Sequence, residues 1–337
     1  MQSGPGQQAI QGARRQAISR DVNYLRLSIT DRCNLRCLYC ASWEEWQKLP
    51  AWEILRYEEF LVLAGAAARA GVRKVRVTGG EPLVRRGVVE FLQALGQVPG
   101  LTEVCLTTNG VLLPELAGDL FAAGVRHLNL SLDSLKRERY RELTGADLLP
   151  QVLKGLEAAV SLGFHPLKLN CVVLKGVNDD ELLDFAALAR DYPLEVRFIE
   201  FMPTVSRELW GRHFFPMEEV RRILAPLGLE ETDNPDATAG PAHTCRAPGF
   251  QGRLGFIDTV SEHRCLTCNR LRLTAAGRLR PCLFAGPELD VKQALRRGEP
   301  EAALARLFRE AMRLKDEVPR GGRPAAPEGR AMVSIGG

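Results

Sequence analysis

The sequence predicts an α/β fold built around a parallel β-sheet. Short β-type runs alternate with stretches in which apolar residues recur at helical spacing. Glycine follows three of the predicted helices, at Gly71, Gly124 and Gly163, where a left-handed helix end favours it. Strands that alternate with helices are typical of βα units, whose parallel strands are joined by right-handed crossovers. The periodicity fits both a doubly wound sheet and an incomplete (β/α) barrel, and both stay open at this point.

Six strands and the helices between them are predicted in order. The predicted strands are Tyr24–Ile29, Lys74–Thr78, Glu103–Thr107, His127–Ser131, Leu167–Val173 and Leu194–Phe201. The predicted helices between them are Tyr57–Ala70, Val88–Gly96, Leu113–Ala123, Leu149–Leu162 and Asp180–Asp191. Beyond Pro203, helices are predicted at Met217–Leu227 and from about Glu301 to Leu314. The polar stretch from Glu230 to Gly249 is interpreted as a loop or boundary.

Composition excludes several classes of protein. The 337 residues include 45 Lys and Arg against 41 Asp and Glu, and a net charge of +4 is too small to indicate nucleic acid as a partner. No run reaches the roughly 18 apolar residues that span a membrane, and the first 20 residues lack the apolar block of a secretory signal. We therefore expect a cytoplasmic protein of about two domains, with no membrane and no nucleic-acid partner.

Six of the nine cysteines form two groups. The first group is Cys33, Cys37 and Cys40, and the second is Cys265, Cys268 and Cys282. In a reducing cytoplasm, grouped cysteines favour metal binding or redox chemistry over disulfides. Cys105 and Cys171 lie in apolar strand-like runs and are expected to be inert core residues.

The first group has the spacing C-x3-C-x2-C and directly follows the first strand. Three thiolates can hold a 4Fe–4S cluster and leave one iron open, although a zinc knuckle is an alternative. The second strand ends in Thr78-Gly79-Gly80-Glu81-Pro82, where adjacent glycines permit positive φ and close approach of the backbone. Together the two motifs resemble those of the radical S-adenosyl-L-methionine (SAM) superfamily. The resemblance implies an incomplete (β/α)6-type TIM barrel, with SAM bound at the open iron.

The second group is followed by a run in which arginines and leucines alternate. Two residues separate Cys265 from Cys268, and thirteen separate Cys268 from Cys282. A zinc ribbon that uses His263 is an alternative, but the run resembles the second-cluster motif of the molybdenum cofactor biosynthesis protein A family, the GTP 3′,8-cyclases. The resemblance implies a second 4Fe–4S cluster whose open iron contacts the guanine of GTP. It also implies a barrel domain at residues 1–214, a second-cluster domain at 215–317 and a Gly-Gly tail at 318–337.

Arginines near both motifs suit a triphosphate, which needs charged, bidentate partners. Arg270 and Arg272 alternate along a strand-like run and so share one face, while Arg26 and Arg76 lie in the first and second strands. The chain has no G-x4-G-K-[ST] sequence, so side chains are expected to hold the phosphates.

The resemblance assigns further positions one by one. The implied GTP contacts are Arg26, Arg76, Thr107, Lys168, Arg270 and Arg272. The implied SAM contacts are Tyr39, Gly80, Ser131 and Met202. Arg197 is expected to stabilise charge on the cyclised intermediate, and Gly336 and Gly337 are expected to enter the active site. Several of these positions lie at carboxyl ends of predicted strands, where barrel enzymes form their sites.

The resemblance implies a radical cyclisation of GTP as the first step of molybdenum cofactor biosynthesis. The implied partners are a flavodoxin- or ferredoxin-type electron donor and a cyclic pyranopterin monophosphate synthase, and a homodimer stays open. The alternatives are a radical SAM enzyme that modifies a peptide or protein, and a non-enzymatic zinc protein that binds nucleic acid.

Overall fold

The computed structural model describes residues 21–41, 47–232, 242–261 and 268–317 together with Met332. Its strands are β1 (Tyr24–Ser28), β2 (Lys74–Thr78), β3 (Glu103–Thr108), β4 (His127–Ser131), β5 (Leu167–Val173), β6 (Glu195–Glu200), β7 (Glu230–Glu231), β8 (His243–Arg246), β9 (Arg253–Ile257), β10 (Arg270–Leu273), β11 (Arg278–Arg280) and β12 (Leu289–Asp290). Its helices are α1 (Tyr57–Arg69), α2 (Val88–Gly96), α3 (Leu113–Ala122), α4 (Arg137–Thr144), α5 (Leu149–Ser161), α6 (Leu182–Asp191), α7 (Arg207–His213), α8 (Met217–Leu224), α9 (Val291–Arg296) and α10 (Glu301–Glu317).

One sheet holds these strands in the order β12-β11-β10-β1-β2-β3-β4-β5-β6-β9-β8-β7. The eight strands from β10 to β9 pair in parallel, so their carboxyl ends lie along one edge. Among the described residues β9 and β10 are not neighbours, which leaves the barrel open. The structure thus confirms the incomplete barrel. It also shows that the C-terminal part of the chain adds a parallel strand at each end of the six-stranded core.

Each central strand alternates polar and apolar side chains. The apolar residues face outward and form the main core under the helices, as Leu25, Val75 and Leu128 illustrate. The residues between them, such as Arg26 and Arg76, line an interior cavity. Parallel strands that are covered on both faces usually read as continuous apolar runs. The alternation here therefore marks a polar interior instead of layers of packed apolar side chains.

The helices form the outer layer, and local signals set several of their ends. At the start of α1 the Glu59 carboxylate accepts from the amide of Arg56 at 2.7 Å, which satisfies one of the helix's first donors. Gly71, Gly124 and Gly163 have φ of 115°, 91° and 77°, as their positions after predicted helices indicated. Within the described part of the chain, no helix is both long and apolar enough to cross a membrane.

Several elements were not predicted. Helices α4, α7 and α9 are short, and the first two are rich in charged residues. The interpretation of Glu230 to Gly249 as a loop was wrong at its described ends, because β7 and β8 pair there in antiparallel fashion. Residues 233–241 lie outside the described ranges.

Candidate active site

The first cysteine group lies in the loop after β1. Cys33, Cys37 and Cys40 are half-buried and border one cavity of about 370 Å³ inside the barrel. The loop is tied to the end of α4, because the amide of Arg36 donates to the carbonyl of Thr144 at 2.8 Å. Burial raises the pKa of Cys33 to about 11, so this thiol needs a bound metal to lose its proton at neutral pH. Three thiols bordering one space fit the ligand set of an iron–sulfur cluster.

The two glycines at the end of β2 pass directly beside this loop. A Cβ on Gly80 would lie 2.3 Å from the carbonyl oxygen of Arg32, and one on Gly79 would lie 2.5 Å from that of Thr30. Neither glycine has positive φ. Close approach of the backbone, and not a left-handed conformation, is therefore the reason that both positions need glycine.

Glu81 joins the ends of two neighbouring strands. Its carboxylate accepts hydrogen bonds from the amide of Leu83 at 2.9 Å, the hydroxyl of Thr108 at 2.8 Å and the amide of Asn109 at 2.6 Å. Burial raises the pKa of Glu81 to about 7, while these donors act in the opposite direction. Glu81 was not predicted as a site residue, although it lies in the glycine motif, and the structure shows that it fixes the cavity wall.

Tyr39 is held by a carboxylate that the sequence analysis did not select. Its hydroxyl donates to Asp133 Oδ2 at 2.5 Å, and Asp133 Oδ1 accepts from the amide of Val172 at 2.8 Å. Burial raises the pKa of Asp133 to about 6. Asp133 lies two residues after the predicted site residue Ser131, so its position at the end of β4 was the available signal.

The two described cysteines of the second group face the same cavity, one shortly before β10 and the other shortly after β11. Cys268 and Cys282 border the cavity, whereas Cys265 and the alternative zinc ligand His263 lie outside the described residues. Burial by itself raises the pKa of the Cys268 thiol, but the positive charges of Arg270 and Lys315 lower it to about 6. A thiol held as thiolate by neighbouring cations suits metal coordination.

Cationic side chains dominate the lining of the cavity. In the described chain they are Arg26, Lys74, Arg76, Lys168, Arg197, Arg270, Arg272 and Lys315. The lining carboxyl groups are Glu81, Asp133, Glu200 and Asp258, and protein donors bind each of them. Burial lowers the pKa of Arg26 to about 10, and the like charges of Arg270 and Arg76 act in the same direction. A bound polyanion would relieve this repulsion.

Buried polar atoms without a hydrogen-bond partner also face this space. They are the Thr107 hydroxyl, Asn129 Oδ1, Asn170 Oδ1 and Arg197 Nη2 among the described residues. Because buried polar groups are almost always paired, four of them around one cavity indicate a missing ligand. The Arg197 guanidinium is oriented from its other side by Glu195.

A second polar network closes the amino-terminal end of the barrel interior. Lys74 pairs with Glu103 at 2.6 Å, and His127 contacts the same carboxylate oxygen. Cys105 is fully buried, as predicted, but its thiol is not surrounded only by apolar groups, since it donates to Glu103 at 2.9 Å. Lys74 was missed, although it alternates with Arg76 on β2.

Glu200 fixes the segment that leads toward the second cysteine group. Its carboxylate accepts from the amides of Val260 at 2.8 Å and Ser261 at 3.0 Å, and from that of Met217 at 2.9 Å. It is fully buried. Glu200 therefore joins the end of β6 to the start of α8 and to the segment before Cys265.

The structure brings together all the predicted site residues that it describes. Those that border the cavity are Arg26, Cys33, Cys37, Tyr39, Cys40, Arg76, Gly80, Thr107, Ser131, Lys168, Arg197, Met202, Cys268, Arg270, Arg272 and Cys282. Gly336 and Gly337 lie outside the described residues, as does Cys265. Met332 borders the cavity, and its amide donates to the carbonyl of Cys40 at 2.8 Å.

Two family models match consecutive parts of the chain. The Radical SAM superfamily matches residues 27–189, and Molybdenum Cofactor Synthesis C matches residues 194–319. The GTP 3′,8-cyclase of Heliobacterium modesticaldum is 46% identical, over 89% of this chain and 92% of its own length. That of Moorella thermoacetica is 47% identical, over 94% of this chain and 98% of its own.

A solved structure supports the fold independently. SuiB of Streptococcus suis bound to S-adenosylmethionine superposes with a TM-score of 0.58 at 15% identity, covering 82% of this chain and 64% of that protein. At this identity the likeness shows only that the two chains share the radical SAM fold.

Proposed function

Since the chain belongs to the GTP 3′,8-cyclase family of the radical SAM superfamily, we propose that it converts GTP to (8S)-3′,8-cyclo-7,8-dihydroguanosine 5′-triphosphate. This is the first step of molybdenum cofactor biosynthesis. One observation carries the proposal: the first cysteine group and the two described cysteines of the second, Cys268 and Cys282, border a single cavity. That cavity is lined with cations and with buried polar atoms that have no protein partner.

The cysteines fit the two 4Fe–4S clusters of the family. We assign the first cluster to Cys33, Cys37 and Cys40, and the second to Cys265, Cys268 and Cys282. Cys33, Cys37 and Cys40 would hold a cluster which, with SAM and one electron from an external donor, would supply radical chemistry directed at the ribose C3′ of GTP. The protein positions SAM through Tyr39, Gly80, Ser131 and Met202.

The basic residues serve the triphosphate. The residues assigned to GTP lie on four strands and all border the cavity: Arg26, Arg76, Lys168, Arg270 and Arg272. Their charges are mutually repulsive when the site is empty, so binding of the triphosphate recovers the cost of burying them. Thr107 supplies a hydroxyl that lacks a protein partner.

Arg197 is assigned to the ring-closure step. Its Nη2 atom is buried without a hydrogen-bond partner, while its Nε atom is anchored by Glu195. A fixed guanidinium with one unused donor can stabilise charge that develops on the cyclised nucleotide. A cavity closed to water would also protect the carbon radical from side reactions.

The tail and the domain division follow from the same proposal. Residues 1–214 form the barrel domain, 215–317 carry the second cluster, and 318–337 form the tail whose Gly336 and Gly337 enter the site. The contact of Met332 with Cys40 supports this path for the tail, because it lies only a few residues before the glycine pair. The consecutive family matches support a chain of two main parts.

The partners are proposed on chemical grounds. Both clusters need a one-electron donor of low potential, for which a flavodoxin or ferredoxin is suited. The cyclised triphosphate must pass to a cyclic pyranopterin monophosphate synthase, and we propose a cytoplasmic location for this pathway.

The test is an anaerobic turnover assay on reconstituted protein. We expect about eight iron atoms per chain, from two four-iron clusters. With SAM and dithionite, GTP should accelerate formation of 5′-deoxyadenosine and yield the cyclised nucleotide. Zinc-loaded, colourless protein would contradict a radical SAM enzyme. Acceleration by a peptide but not by GTP would instead support the modification of a peptide.

A matched pair of variants tests the assignment of the arginines. Arg270→Ala removes a cavity-facing guanidinium at the start of β10. Arg278→Ala removes an exposed guanidinium at the start of β11, the strand that pairs with β10. Loss of a charged hydrogen bond costs about 1.5–3 kcal/mol, so the Kd for GTP should rise about 10–100-fold in the first variant only. If both variants bind GTP as tightly as the parent protein, Arg270 does not contact GTP.

A further inference from the structure

Lys315 is a buried cation that the proposed reaction does not yet explain. It lies in the last turns of α10, and its side chain is only 2% exposed. The ammonium group borders the cavity on the side of the second cysteine group. Burying an ammonium is costly unless it is paired with negative charge or acceptors, so its partners show what it does.

The partners of Lys315 belong to the second cysteine group. Its Nζ donates to the carbonyl of Pro281 at 2.8 Å, directly before Cys282. It also forms a hydrogen bond with Cys268 and experiences the charge of Cys282. One side chain from α10 thus contacts the surroundings of two ligands that are 14 residues apart in the sequence.

A second buried cation holds the other side of Cys282. Arg280 is also 2% exposed, and its Nη2 donates to the carbonyl of Leu283 at 3.4 Å. The two carbonyl groups that flank Cys282 are therefore both bound by buried cations. Such groups around a metal ligand orient it and tune the metal.

We infer that Lys315 is a positioning residue for the second cluster, which holds the Cys282 turn in place and stabilises the reduced cluster through its positive charge. The inference rests on the proposed function. Reduction adds one negative charge to a thiolate-ligated cluster, and reduction potentials depend on nearby charge and hydrogen bonds. A fixed ammonium beside two ligands therefore raises the potential of this cluster, and the potential of the first cluster, whose cysteines lie in the loop after β1, should stay unchanged.

The test compares cluster potentials in variants of the full chain. Lys315→Met removes the charge with little loss of volume, Lys315→Gln keeps a hydrogen-bond donor, and Lys315→Arg keeps the charge. Arg306→Met is the matched control, because it removes a positive charge from the exposed face of the same helix. The readouts are iron content and an anaerobic redox titration, followed by electron paramagnetic resonance, that resolves the two clusters.

We expect the second cluster of Lys315→Met and Lys315→Gln to be harder to reduce. At a fixed potential the ratio of reduced to oxidised cluster should fall about tenfold, which is about 59 mV for one electron. The first cluster and Arg306→Met should match the parent protein. An unchanged second-cluster potential in either neutral variant that retains its iron would overturn the inference.

Loss of iron is also decisive. If both neutral variants lose about four irons while Lys315→Arg and Arg306→Met keep all eight, the positioning role is supported. Equal loss in Arg306→Met would overturn it, since the helix as a whole would then be responsible. Loss in all three Lys315 variants would overturn it as well, because a retained charge would not suffice. A parent protein with only one cluster would instead contradict the proposed function.

Discussion

Lys168 gives the cavity a distinctive dependence on pH. Burial lowers the pKa of its ammonium to about 8, and the positive charge of Arg197 acts in the same direction. A triphosphate binds the protonated form more tightly, so binding takes up a proton above that pKa. The affinity for GTP should therefore be full below about pH 8 and should fall as the pH rises through it.

The expected change in the Kd for GTP follows from the fraction of Lys168 side chains that stay protonated. Near pH 9.5 only about 3% of the side chain is protonated, so the Kd should be about 30-fold higher than near pH 7. Lys168→Arg remains charged over the whole range and should lose this dependence. Lys168→Met should bind about 10–100-fold more weakly near pH 7, since a charged hydrogen bond contributes about 1.5–3 kcal/mol.

Anaerobic calorimetry of GTP binding from pH 7 to 9.5 measures these effects. The guanine base also titrates at alkaline pH, but all variants experience that titration equally, so the difference between the parent and Lys168→Arg isolates the lysine. If the Kd of Lys168→Arg for GTP rises with pH as steeply as that of the parent protein, Lys168 does not bind the triphosphate.

Three further predictions concern the walls of the site. Gly80→Ala places a Cβ 2.3 Å from the carbonyl oxygen of Arg32 and should lower the free energy of unfolding by about 1–3 kcal/mol. Gly118→Ala is the control, because open space surrounds that position, and it should not destabilise the protein. Thermal denaturation measures both. Tyr39→Phe leaves the Asp133 carboxylate with only its hydrogen bond from a backbone amide. The free energy of unfolding should therefore fall by about 1–3 kcal/mol, and SAM should bind more weakly in equilibrium dialysis. Unchanged values for both would contradict the role of this pair. In Glu200→Gln one acceptor oxygen is lost: Oε2 accepts from the amides of Val260 and Ser261, and Oε1 accepts from the Ser261 hydroxyl and the Met217 amide. Iron should therefore fall from about eight to about four atoms per chain, and full iron content would show that this anchor is dispensable.

Local periodicity accounts for the elements that could be predicted. The strands from β1 to β6 carry an apolar outer face, and the long helices between them bury regular stripes of side chains. Helix α4 was missed because its sequence RERYRELT is mostly charged. Only Tyr140, Leu143 and Thr144 are buried there, and tertiary contacts with the cysteine loop decide its conformation.

The pairing of the two flanking strands, β9 and β10, could not be predicted from local sequence patterns. That β10 pairs with β1 and β9 with β6 is a matter of contacts between distant segments, which periodicity does not encode. The alternation of Arg270 and Arg272 nevertheless indicated correctly that β10 turns one polar face to a common side.

The candidate site could be predicted where a chemical role requires particular residues at a fixed spacing in the sequence. Cysteine spacing, paired glycines and arginines in strands led to residues that the structure gathers around one cavity. The supporting side chains were missed for different reasons. Glu81 directly follows the selected Gly80, and Asp133 lies two residues after the selected Ser131. Glu200 and Lys315 act through contacts with segments remote in sequence and gave no local signal.

The proposed function requires two iron–sulfur clusters that border one cavity in which GTP binds. Anomalous X-ray diffraction at the iron edge, on anaerobic crystals grown with GTP, tests it most directly. We predict two iron sites, one at Cys33, Cys37 and Cys40 and one at Cys265, Cys268 and Cys282, with nucleotide density between them. A single iron site, a zinc signal at the second cysteine group, or nucleotide bound outside the barrel interior would contradict the claim.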